Sequence, residues 1–288
     1  MRPLLPPDKM QTLVDATRRK ASALVAGLDP VPSRFPPELR DLSEVFATRE
    51  FCRGILEAVE PYAAAVKLQA AFFERLGPAG MRLYADLVGA ASALGLPVIA
   101  DVKRGDIGPV AAAYAEAHLG VYGADCVTVN PYMGVDAVVP FLEEARRRNR
   151  GGGVFVLAAT SNPSSGAFQE ATDPPLYEVA SKLVAELGRA GGDYPDAGAV
   201  VGATRPEVGR RVRELLPETL FLTPGYGAQG GDAYGVHPLL DERGGGVLVN
   251  SSRSILYAYE DSETGYREAA REAARSARDE LRRVGVRV

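Results

Sequence analysis

Within the six residues Asp101-Val102-Lys103-Arg104-Gly105-Asp106, two carboxylates flank an ammonium at the end of an apolar run. Asp101 and Lys103 stand two apart, so an extended backbone projects both side chains from one face. If that face lines a closed sheet, an anion and a cation sit side by side, with Asp106 a few residues on. Such a pair can serve as part of a preorganised electrostatic site. It can also be a structural ion pair capping the fold, although desolvation competes with Coulomb attraction and a buried pair need not add stability. Two further charges, Asp29 and Lys67, end apolar runs elsewhere. Four alternating charges fit a preorganised electrostatic site better than one structural pair. Lysine occurs only at Lys9, Lys20, Lys67, Lys103 and Lys182, so a lysine at a strand end stands out.

Two other stretches suit ligand binding. Pro224-Gly225-Tyr226-Gly227-Ala228-Gln229-Gly230-Gly231 and Ser251-Ser252-Arg253 are suited to phosphate. Glycines let backbone N–H groups approach an anion, and a helix starting after the serines adds its positive end. Arg253 also reads as one surface arginine among many. Thr160-Ser161-Asn162-Pro163-Ser164 can read the polar edge of a heterocycle or be a capped turn, and the residues alone leave both open. Of the two histidines, His118 is expected at a helix end and His237 in a solvated loop before Pro238. A His-based metal site or a Ser-His-Asp triad would need one of them in a suitable setting. Acid–base chemistry is therefore expected to run on lysine and carboxylates.

The elements that must position these residues alternate. Strand-like runs cover Leu24–Asp29, Ala64–Gln69, Val98–Lys103, Cys126–Asn130, Val154–Thr160, Ala199–Ala203, Leu220–Thr223 and Val247–Ser251. Most are continuously apolar, as parallel strands buried on both faces require. Helical patterns cover Thr48–Val59, Met81–Leu94, Pro109–Leu119, Val135–Arg148, Leu176–Ala190 and Pro206–Leu216, the last opened by a capping-box spacing at Thr204-Arg205-Pro206-Glu207. A short helix near Ser254–Tyr259 and an amphipathic one near 262–284 follow the last strand. Eight alternations point to an α/β chain folded as a (β/α)8 TIM barrel, with an open doubly wound sheet as the structural alternative. One domain over 1–288 is expected, with an N-terminal extension at 1–20 and a long loop over Gly225–Gly246. In such barrels the site lies at the C-terminal ends of the strands.

Composition excludes several classes. A length of 288 residues suits one such barrel, and 46% hydrophobic with 24% charged residues is an ordinary globular balance. A net charge of −4 spread along the chain points away from nucleic acid as a partner. No apolar stretch reaches membrane-spanning length, and no signal-peptide core opens the chain. Cys52 and Cys126 form no disulfide framework or zinc spacing, so a cytoplasmic setting is expected.

Taken together, Gly27-Leu28-Asp29-Pro30, Val66-Lys67, Asp101 to Gly108, Thr160-Ser161-Asn162-Pro163, Pro224 to Gln229 and Arg253-Ser254 resemble the orotidine 5′-phosphate decarboxylase family, in its longer bacterial branch. The match runs from about Ala23 to about Tyr257. The Asp-x-Lys-x-x-Asp element alone is shared with related sugar-phosphate decarboxylases and synthases, and the Pro-Gly-x-Gly-Ala-Gln loop makes it more specific. The resemblance implies cofactor-free, metal-free decarboxylation of a nucleotide. It implies Lys103 as proton donor to pyrimidine C6, Asp101 beside the substrate carboxylate, and Lys67 and Asp29 on the ribose hydroxyls. Ser161 would read the base. Gln229 would bridge phosphate and base, and Arg253, with the loop opening at Pro224, would grip the phosphate. Asp106 would enter the partner's site of a homodimer. Where the family usually carries threonine four residues after Asp106, Val110 stands here, which implies a missing or rerouted ribose contact.

That reaction needs barrier lowering near the upper end of roughly 8–23 kcal/mol. An ammonium fixed at C6 stabilises the developing carbanion and then protonates it. Three readings compete with it. A metal-dependent sugar-phosphate decarboxylase or synthase needs an oxygen-ligand Mg²⁺ site. A Schiff-base aldolase needs a desolvated lysine without carboxylate neighbours. A non-catalytic phosphometabolite binder would have no use for the intact lysine and aspartate array.

Overall fold

The computed structural model describes residues 10–148, 150–189, 192–226 and 233–288. Eight parallel strands close into a barrel: β1 (Leu24–Leu28), β2 (Ala65–Gln69), β3 (Val98–Arg104), β4 (Cys126–Val129), β5 (Gly153–Ala159), β6 (Ala197–Val201), β7 (Phe221–Thr223) and β8 (Val247–Ser251). Pairing of β1 with β8, Leu24 against Val249, seals the ring. This is the expected (β/α)8 barrel, with each strand within two residues of its sequence-based bounds.

The helices begin with α1 (Gln11–Lys20), followed after β1 by α2 (Glu44–Val59) and after β2 by α3 (Ala71–Glu74) and α4 (Gly77–Ala93). β3 leads to α5 (Gly108–Ala115), which continues through a wider π-type turn over Glu116–Val121. Then come α6 (Val139–Arg148), α7 (Ser165–Gln169), α8 (Leu176–Leu187), α9 (Pro206–Leu215), α10 (Arg253–Leu256) and α11 (Tyr266–Arg283). The long segment after β7 contains a 3-10 turn at Ala233–Leu239. Among the described residues, no helix is long and apolar enough to cross a membrane.

Strand alternation sorts the barrel interior into layers. The lower layer is apolar, built from Val25, Ala65, Ile99, Cys126, Phe155 and Leu248. Residues 1–20, expected as an extension, contain α1, whose flanking Met10 and inward Leu13 and Val14 complete this layer. The helix thus shields the barrel floor from water. Two residues farther along each strand, the inward positions fall on Lys67, Asp101, Thr128, Leu157, Val200, Leu222 and Asn250, all of which face one cavity.

Two local expectations need correction. The capping box at Thr204 and Glu207 does not form: Arg205 is the N-cap of α9, without a side-chain cap bond. Pro206 opens the helix as expected, while the Thr204 hydroxyl donates to the Ser161 carbonyl at 3.3 Å and Glu207 pairs with Arg205. Threonine satisfies a loop carbonyl here instead of its own helix. The second concerns β3, which is not a plain strand between Asp101 and Lys103. Its pairing with β4 jumps from Ala100–Val127 to Arg104–Val129, so the intervening residues bulge, and Lys103 has φ +46°. Bulges beside active sites re-aim side chains, and this one turns Lys103 back over Asp101.

His118 lies in the π-type turn and is fully packed, with its ring edge-on to Tyr84. Burial pushes its imidazole down to about 4, which keeps it neutral near pH 7. His237 is exposed within the 3-10 turn. Neither histidine lines the cavity.

Candidate active site

The cavity opens at the C-terminal ends of the strands and holds about 410 Å³. Its two sides differ chemically. Strands β5 to β7 supply an apolar wall of Leu157, Val200 and Leu222, whereas β1 to β3 supply charge from Asp29, Lys67, Asp101 and Lys103. A flat ring can lie against the first side while its polar substituents meet the second.

Asp101 is the hub of the charged side. Lys67 Nζ lies 2.8 Å from its Oδ2, and Lys103 Nζ lies 2.5 Å from its Oδ1. Gln69 donates to Oδ2 at 3.0 Å and the Thr128 hydroxyl donates to Oδ1 at 2.9 Å. Lys67 also reaches Asp29 at 3.5 Å, so its ammonium sits between two carboxylates. Burial alone would raise the Asp101 carboxyl, but Lys67 and Lys103 outweigh it and hold it well below the usual carboxylate range. Burial would likewise lower Lys67, and the carboxylates of Asp101 and Asp29 more than reverse this. Asp101 and Lys67 therefore keep opposite charges in a nearly dry setting. Lys103 differs: its side chain remains 46% exposed, so its ammonium faces the space a ligand would occupy.

The remaining candidates occupy the rim. Ser161 lines the cavity beside Thr160 and Asn162. It can sit there because Gly202 follows β6, where an added Cβ would fall 2.7 Å from the Ser161 Cβ. Gln169 accepts from the Thr160 N–H and donates to its hydroxyl, which in turn donates to Asn162. The loop is thus held by its own side chains. On the opposite rim, Pro224, Gly225, Ser252 and Arg253 converge. Gly27 permits this approach, since a Cβ there would lie 2.0 Å from the Ser252 hydroxyl. The helix after β8 is a single turn, α10, too short to contribute much of a helix dipole. Anion binding at this rim would fall to Arg253 and the backbone amides.

One expected site residue among those described is not brought into this cavity. Asp106 is absent from its lining, and its carboxylate accepts from the adjacent Ile107 N–H at 2.8 Å. Gln229 lies outside the described residues. Sequence reasoning also missed contributors. Thr128 and Asn250 are buried polar residues on the cavity floor; Tyr226, already part of the glycine-rich stretch, stands on its wall and donates to Glu280 of α11 at 2.5 Å. Strand alternation carried the signal for the first two. Thr128 interrupts the apolar run of β4, and Asn250 that of β8, both at inward positions.

A barrel whose C-terminal mouth sets alternating charges against an apolar wall, with an arginine on the far rim, defines an enzyme for a small anionic substrate. The model of the orotidine 5′-phosphate decarboxylase / HUMPS family matches residues 22–269, and the chain belongs to that family. It is 42% identical to the orotidine 5′-phosphate decarboxylase of Rhodopirellula baltica, over 86% of this chain and 88% of that protein. It is 41% identical to the enzyme of the same name from Deinococcus radiodurans, over 96% and 97%. Among solved structures, Leishmania donovani OMP decarboxylase superposes with a TM-score of 0.78 at 33% identity, over 94% of this chain and 98% of that one.

The geometry around Asp101 has a measurable consequence. Replacing Asp101 by alanine leaves Lys67 buried with only the longer Asp29 contact. Removing one partner of a buried pair costs about 3–5 kcal/mol, and urea unfolding of Asp101→Ala at pH 7 should show a loss of that order. A carboxyl depressed in the fold contributes its stability above the ordinary aspartate range, near 4, and loses it as pH falls through the folded value. The deficit of the variant should therefore be full at pH 7 and shrink below about pH 4. A deficit that grows on acidification would contradict the assignment.

Proposed function

We propose that this chain converts orotidine 5′-phosphate to uridine 5′-phosphate in pyrimidine biosynthesis, without a cofactor, and that Lys103 is the proton donor. The observation that carries this reading is the Asp29, Lys67, Asp101 and Lys103 array, with only the Lys103 ammonium strongly open to the cavity. Cleavage of the bond from C6 to the carboxylate releases CO₂ and leaves the electron pair on C6. An ammonium held over C6 stabilises that charge and then transfers its proton there. Asp101, kept ionised, would lie beside the departing carboxylate. Lys67 and Asp29 would hold ribose hydroxyls, and Ser161 would address the base. Arg253, Pro224 and Gly225 would face the phosphate, with Gln229 between phosphate and base. Phosphate binding far from the reacting carbon can then help organise the reacting centre.

The Lys67 ammonium lies between Asp29 and Asp101 and already neutralises carboxylates that a divalent cation would need as oxygen ligands. This favours the reading without metal over the sugar-phosphate alternative. The buried free thiols of Cys52 and Cys126 fit a reducing, cytoplasmic compartment.

The same reading makes the enzyme a homodimer in which Asp106 completes the neighbouring site. Support comes from the side of the barrel that carries Asp106. Ile107, Val110, Tyr132, Met133, Val135 and Phe168 are exposed there, and the Tyr132 and Phe168 rings lie 6.1 Å apart. Apolar side chains gathered in this way suit burial against a second copy. Val110 lies in this strip and offers no hydroxyl to the partner's ligand.

Purified protein should discharge the absorbance of orotidine 5′-phosphate with EDTA present. Lys103→Ala should stay folded while turnover falls by about 10³-fold or more, the scale expected when proton transfer and charge stabilisation are lost together. Absence of turnover, turnover abolished by the chelator, or an active Lys103→Ala variant would overturn the reading. The dimer has its own check by subunit mixing. Lys103→Ala and Asp106→Ala, each inactive alone, should recover about one quarter of wild-type activity when exchanged, because hybrid dimers carry one intact site. No recovery after verified exchange would place Asp106 outside the partner's site.

A further inference from the structure

Thr128 is the upper of two inward residues of β4, buried on the floor of the cavity beside Asp101. A hydroxyl has one proton to donate and two lone pairs, and all three are engaged. Oγ1 donates to Asp101 Oδ1 at 2.9 Å and accepts from the Val102 and Lys103 N–H groups, each at 3.0 Å. Those two amides belong to the β3 bulge, where the register with β4 passes from Ala100 directly to Arg104. The side chain of Thr128 serves them where the ladder does not.

The bulge needs such support. Lys103 has φ +46°, a region that side chains with a Cβ seldom occupy. A buried amide without an acceptor is a further cost. Inward positions at the same level on β5, β6 and β7 are the apolar Leu157, Val200 and Leu222, so the barrel does not itself require a polar group in this layer. The hydroxyl on β4 answers a local demand, the geometry of Asp101 and Lys103.

We propose that Thr128 is a positioning residue for the decarboxylation, its hydroxyl fixing the bulge that turns Lys103 onto Asp101 and orienting the Asp101 carboxylate. The catalytic half of this inference rests on the proposed role of Lys103; the geometric half does not. Gln69, which donates to the other carboxylate oxygen, completes the neutral part of the same clamp.

Thr128→Val keeps the shape and removes every one of these bonds. Its crystal structure should show Lys103 out of the left-handed region and Nζ withdrawn from Asp101. Its kcat should fall roughly 10²-fold, the scale of a small misplacement of reacting groups. KM should stay within about threefold, because the lost interaction acts on the transition state more than on the ground state. Thr128→Ser, which keeps the hydroxyl, should recover most of the loss. If the valine variant does not fold, Thr128→Ala, which leaves room for the chain to relax, carries the same expectations. Lys103 held at its present φ in either variant, an unchanged kcat, or a serine variant as impaired as valine would overturn the inference. Wild-type protein inactive on orotidine 5′-phosphate would instead remove the proposed reaction, and the crystal structure would still judge the positioning role.

Discussion

The Asp101 carboxylate is taken almost wholly out of water, and the surrounding structure answers that desolvation. An isolated carboxylate in such a place would protonate, since burial favours its neutral form. Two ammoniums and two neutral donors keep it charged. Each donor comes from a different position: Lys67 and Gln69 from β2, Lys103 from the bulge of β3 and Thr128 from β4. The registers of three adjacent strands must therefore be set before the charge can exist. The apolar lower layer and the α1 plug hold those registers from below.

This arrangement also divides labour between the two lysines. Lys67 is buried and locked between Asp29 and Asp101, and it stabilises the array from within. Lys103 shares Asp101 but keeps almost half of its side chain exposed. The proton-donor role proposed for Lys103 would need that freedom, and a group that only fixes the field would not. Charges fixed in this way need no reorienting solvent to meet a charge developing beside them, which is where electrostatic sites gain most. The apolar wall opposite adds to this by excluding water and sharpening the local field.

Most of the barrel was legible because buried parallel strands write themselves as short apolar runs separated by helical patterns. Asp29, Lys67, Asp101 and Lys103 could be picked out as charges ending those runs, and the structure gathers all four in one cavity. Other features depend on tertiary context. The bulge of β3 leaves no mark in residue types, since a left-handed lysine looks like any other lysine. Thr128 passes for an ordinary β-branched strand residue until its three bonds are seen. The Thr204 cap failed because a loop carbonyl from β5 competes for the same hydroxyl, a contact between segments more than forty residues apart. α1 leaves little mark in the sequence because its charged face dominates its composition, while the few apolar residues that matter point into the barrel.

In the proposed reaction the Lys103 ammonium is fixed to meet negative charge at C6 of a bound pyrimidine nucleotide. Calorimetric titration with uridine 5′-monophosphate, and with an analogue bearing an oxyanion at C6, tests it most directly. The analogue should bind at least about 10²-fold more tightly, as ligands resembling a transition state do, and Lys103→Ala should abolish the difference. Equal affinity for the two nucleotides, or a preference that survives in Lys103→Ala, would contradict it.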